Sequence, residues 1–161
     1  MSLFKNKNSE NAPNPFISVN CDLQASISNR VDFNTQNIQF FEDDLSSRIG
    51  FIARSYENGF IVSNKGMIFV FPSDIETGSY KPTDSDFPFE TLHYYELGAN
   101  GDLSTSYSYK AESGTIDIEV ISNDAQALRY LINFDFKGKD RRTEELHIKG
   151  NAELNVFMRA S

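Results

Sequence analysis

Between Ile116 and Met158 apolar side chains recur on even-numbered positions in three separate stretches. Ile116, Ile118 and Val120 form the first set, Leu128, Tyr130, Ile132, Phe134 and Phe136 the second, and Leu146, Ile148, Ala152, Leu154, Val156 and Met158 the third. Successive side chains of a strand point to opposite faces, so this alternation predicts three strands, each with one buried face. The positions between them are mostly polar: Thr115, Asp117 and Glu119, then Arg129, Asn133 and Asp135, then His147, Lys149, Asn151, Glu153 and Asn155, with Leu131 and Phe157 as exceptions. Antiparallel sheets with one wet side show this pattern. Asp117, Glu119, Arg129 and Asp135 therefore read as the solvent side of a sheet, where charge pairs contribute ~0.2–1 kcal/mol each.

The rest of the chain follows the same period. Ile17, Val19, Cys21, Leu23, Ala25 and Ile27 share one parity, which predicts a long first strand or two joined by a bend. A meander is expected next, with strands near 48–56, 59–63 and 66–71. Its turns are assigned to Asn58-Gly59 and Asn64-Lys65-Gly66, which tolerate the positive φ angles of tight hairpins. Met67 to Phe71 is apolar throughout, as in a strand covered on both faces. Pro72, Pro82 and Pro88 mark the longest irregular stretch, because proline cannot continue a ladder. Strands near 89–97 and 105–111 flank the turn signal Asn100-Gly101. Only Asp124 to Leu128 offers even one turn of helix. Eight to ten strands without a helix predict an all-β fold, an antiparallel two-layer sandwich or, as the alternative, a closed barrel.

Size and charge narrow the function classes. A chain of 161 residues with 39% hydrophobic content suits one domain, here residues 15–161 behind a flexible lead at 1–14 rich in Asn, Ser, Lys and Pro. Fifteen basic against 23 acidic residues leave a formal charge of -8, which repels phosphate backbones, so nucleic acid is not an expected partner. No apolar stretch has the length of a signal core or a membrane span, so a soluble chain is expected. Its location would be periplasmic or at the cell surface if a signal was removed, and cytoplasmic otherwise. Cys21 has no cysteine partner within the chain.

Short motifs add a resemblance. Gly78 and Tyr80, then Ser113, Gly114, Thr115 and Ile118, then Phe134, Phe136 and Gly138, then Ile148 and Gly150 trace Gly-x-Tyr, Ser-Gly-Thr-x-x-Ile, Phe-x-Phe-x-Gly and Ile-x-x-Gly. In these motifs the C-terminal half of the chain resembles a group of uncharacterised bacterial β-sandwich domains, often found on exported proteins. The resemblance implies a sandwich fold and an envelope location, and it carries no catalytic residues over.

The familiar chemistries lack their signatures. There is no Gly-x-Ser-x-Gly elbow and no glycine-rich phosphate loop. Two histidines and one cysteine lack zinc-ligand spacing, no Trp supplies a sugar platform, and no cofactor is expected. Asp84, Asp86 and Asp102 suit calcium by residue type, but no twelve-residue loop with a terminal glutamate surrounds them. The more suggestive feature is aromatic density, with 14 Phe and 7 Tyr. Tyr80, Phe87, His93, Tyr94, Tyr95, Tyr107 and Tyr109 are the candidate ligand-binding residues, since tyrosine joins an apolar body to a polar tip. Two functions fit. One is a non-catalytic interaction or structural module, a monomer or weak dimer meeting a protein, glycan or small ligand. The other is a small barrel holding an apolar ligand, or doing acid–base chemistry with His93 and a tyrosine.

Overall fold

The computed structural model describes residues 15–43, 45–56, 64–100 and 103–160. The alternation becomes ten strands, with no helix among the described residues. They are β1 (Pro15–Ile27), β2 (Phe33–Thr35), β3 (Ile38–Asp43), β4 (Arg48–Tyr56), β5 (Asn64–Pro72), β6 (Gly78–Tyr80), β7 (Thr91–Asn100), β8 (Leu103–Asn123), β9 (Ala127–Lys139) and β10 (Glu145–Ala160). All lie in one antiparallel sheet ordered β2-β1-β10-β9-β8-β7-β5-β4-β3, and β6 pairs with β8. Of the two architectures expected, the sheet takes the form of a nearly closed barrel.

Closure depends on two short strands in series. β2 pairs with β1 and β3 pairs with β4, so the two residues between them link the sheet's opposite ends. Arg54 seals the junction: its N–H donates to the Asn37 carbonyl at 3.0 Å, and its own carbonyl accepts from Thr35 Oγ1 at 2.6 Å. Wrapping the sheet on itself removes most of the unpaired strand edges.

Alternate side chains of the strands face inward, with β8 changing parity at the register shift between Ala111 and Ser113. Phe51 and Phe69 stack at 4.7 Å, Phe69 meets Phe134 at 5.6 Å, and Phe71 meets Tyr130 edge-on at 5.2 Å. Phe51, Phe69, Phe71, Tyr130 and Phe134 are all buried, each contributing about 1.5–3 kcal/mol through burial alone. Cys21 is buried on the same side, and its thiol is pushed up to about 12 by desolvation and then by Asp22 and Glu153. The Tyr130 hydroxyl is the buried side-chain polar atom left without a hydrogen-bond partner among the described residues.

The barrel's lower end lies where β1 begins, and the strap 73–90 closes it. Ile75 and Phe89 are buried there, with Phe89 5.6 Å from Phe71 and 5.5 Å from Phe87. β6 ties the strap to the lower half of β8, opposite Ile116–Ile118, while Tyr80 donates to the Glu76 carbonyl at 2.7 Å. The strand expected at 59–63 and the turn signals Asn58-Gly59 and Gly101 lie outside the described residues, as does the lead at 1–14.

Three local expectations are corrected. Asn64-Lys65-Gly66 is not a turn: it pairs with Arg54–Tyr56 on one side and Tyr95–Leu97 on the other, so cross-strand bonding on both flanks outweighs local turn preference. The strands expected near 105–111 and from Thr115 onward are one strand, continuous through Gly114, whose φ of 117° absorbs a register shift between Ala111 and Ser113. Asp124 to Leu128 holds no helix, because the Asp124 carboxylate accepts from the N–H groups of Gln126 and Ala127 and makes a tight turn.

Candidate functional site

The upper end of the barrel, where β1 finishes, is where charged side chains turn inward. Register sets two rows there, Met67–Tyr94–Tyr109 and above it Lys65–Glu96–Tyr107. Two loops lean over these rows. Arg30, between β1 and β2, donates to Glu96 at 2.8 and 3.2 Å and to Glu144 at 2.7 Å. The β9–β10 turn brings Asp140, Arg142 and Glu144. Its fold is set by Asp140, whose Oδ1 accepts from the N–H of Arg142 at 2.9 Å and of Glu144 at 3.0 Å.

Hydroxyls join the ions into one network. Tyr94 donates to Glu96 at 2.8 Å and Tyr109 to Glu144 at 2.7 Å, while Arg142 donates to the Tyr109 oxygen at 3.0 Å and to Asp140 at 2.5 Å. The Arg142 guanidinium also lies 3.6 Å from the Tyr107 ring centre. A depression of about 490 Å³ beside the network is lined by Asn29, Arg30, Val31, Lys65 and Glu96.

The network fixes its members' charge states. The Tyr109 bond, then Arg30, holds Glu144 below the usual carboxylate range. Burial alone would raise Asp140, but the bonds from Arg142 and the two backbone N–H groups outweigh it and hold it low. Tyr109 is pushed up by burial and by its bond to Glu144. Arg30 is held protonated chiefly by Glu96, and Arg142 chiefly by Asp140. Every one of these shifts moves away from neutrality. A general acid or base works best with its pKa near the operating pH, and this arrangement produces the reverse.

The seven candidates do not converge. Tyr94, Tyr107 and Tyr109 meet in the upper network, whereas Tyr80 and Phe87 belong to the strap at the lower end. His93 and Tyr95 lie on the outer face of β7. His93 stands between Ile68 and Lys110, and burial followed by Lys110 lowers its pKa, while Tyr95 lies across Gly66. The sheet thus separates His93 from Tyr94 and Tyr109. Asp84 and Asp86 are exposed in the strap and Asp102 lies outside the described residues. Among the described residues, no three His, Cys, Asp or Glu side chains converge to hold a metal ion.

Sequence reasoning passed over Arg30, Glu96, Asp140, Arg142 and Glu144. One signal was present: Glu96 continues the inward parity of Leu92 and Tyr94, and an inward charge at a strand end needs a partner. Comparison with known proteins found no matching family model, no matching curated protein and no matching solved structure.

Proposed function

We propose that the protein is a non-catalytic binding module: a barrel whose interior serves as a packed core and whose outer surface meets a partner. The observation that carries this reading is the charge state of the upper network. Asp140 and Glu144 are held low, Tyr109 is pushed up, and Arg30 and Arg142 are held protonated, so these five groups move away from neutrality, which suits a rigid closure of the barrel end and disfavours proton transfer. The aromatic packing beneath it favours the same reading, since stacked and edge-on rings occupy the space an apolar ligand would need. Native mass spectrometry of the protein taken from its own host tests it. A retained partner chain or polar ligand is the expected result. A bound lipid or other apolar small molecule supports the ligand-holding alternative and overturns this reading.

A further inference from the structure

Register lines up five similar side chains on the outside of the barrel. Asp117 on β8 lies opposite Asn133 on β9, Asn133 opposite Asn151 on β10, Asn151 opposite Gln24 on β1, and Gln24 opposite Asn34 on β2. All five are exposed, and among the described residues none of the five side chains makes a hydrogen bond. With strands about 4.8 Å apart, the row is about 19 Å long. The outer surface is hollowed along it. One depression of about 590 Å³ is lined by Thr115, Asp117, Asn133, Lys149 and Asn151, and another of about 240 Å³ by Gln24, Asp32, Asn34 and Asn151, the two meeting at Lys149–Asn151. The backbone is drawn in close at this junction, where a Cβ on Gly150 would stand 1.9 Å from the Gln24 carbonyl oxygen.

Resting on the binding-module reading, we propose that this amide row is a binding site for a polyhydroxylated chain, an oligosaccharide or polysaccharide lying across the strands. Carboxamides offer a donor and an acceptor side by side, the match for a hydroxyl that both donates and accepts. Four such groups in line, with a carboxylate at one end, fit a neutral ligand bearing many hydroxyls. A polyanion would be repelled by Asp117 and the net charge of -8, and no large apolar side chain faces outward in the row to seat a hydrophobic peptide.

The test is an NMR titration of the labelled protein with cellohexaose, maltohexaose, xylohexaose and chitohexaose, joined by pull-down on cellulose, chitin, xylan and bacterial cell-wall sacculi. At least one glycan is expected to bind and to shift the amides of residues 24, 34, 117, 133 and 151. The double variant Asn133→Ala, Asn151→Ala should weaken that binding about tenfold or more. Glu153→Ala, on the same face but outside the row, should leave it unchanged. Absence of binding across the whole panel, shifts confined to another surface, or binding that survives the double variant overturns the proposal. A partner protein retained in native mass spectrometry, with no glycan bound in the panel, overturns the glycan site alone and leaves the binding module standing.

Discussion

The upper network and the amide row use the same kinds of side chain in opposite ways. In the network Glu96, Asp140, Glu144 and the hydroxyls of Tyr94 and Tyr109 already hold partners within the protein, as in the Arg30 link between Glu96 and Glu144. In the row, five exposed side chains repeat across five strands with no such partner among the described residues. Polar groups that satisfy one another stabilise a fold and offer little to a newcomer, whereas polar groups facing only water can exchange it for a ligand. On the proposed reading, the state of the hydrogen bonds, and not the density of charge at a barrel end, marks where a ligand would bind.

The difference can be broken by substitution. Arg30→Ala should destabilise the fold most, by about 2 kcal/mol in chemical denaturation, because Glu96 and Glu144 lose a shared cation. Tyr109→Phe should cost about 1 kcal/mol, since Glu144 loses a donor while keeping Arg30. Both variants should bind a ligand of the row as the parent does. Tyr130→Phe sharpens the contrast between tyrosines: its hydroxyl has no partner, so removal should be neutral or stabilising by up to about 1 kcal/mol. The double variant Asn133→Ala, Asn151→Ala should change stability least, within about 0.5 kcal/mol, while carrying the whole loss of binding.

Acidity acts on the upper network through two carboxylates. Asp140 and Glu144 are held below the usual range in the folded state, so the unfolded chain takes up protons first as pH falls. Their contribution is in place above the unfolded value of about 4 and is lost as pH drops through the lower folded values. Urea midpoints measured from pH 7 down to acid should fall in that window, and fall less steeply in Tyr109→Phe.

The period of two was enough to assign the inner and outer faces of β9, β10 and the second half of β8, from Thr115 to Val120, and it placed Asp117, Asn133 and Asn151 on the wet side. It could not show that these three form one line with Gln24 and Asn34. That depends on how far each strand slides past its neighbour, and the slide is set by turns and by the register shift near Gly114. The upper network was less legible still. Arg30, Asp140, Arg142 and Glu144 sit in loops, and it is the long-range pairing of β1 with β10 that sets Arg30 beside the β9–β10 turn. The strap's aromatics read in sequence as a pocket rim, and in the fold Phe89 packs against Phe71 at the lower end.

The central claim is that the barrel's interior is a core and that binding belongs to its outer surface. Crystals pressurised with xenon test this directly, since an apolar chamber takes up the gas and a packed core excludes it. No xenon is expected among Phe51, Phe69, Phe71, Tyr130 and Phe134. A well-occupied xenon site within that ring would contradict the claim and return the barrel to the class that carries an apolar ligand.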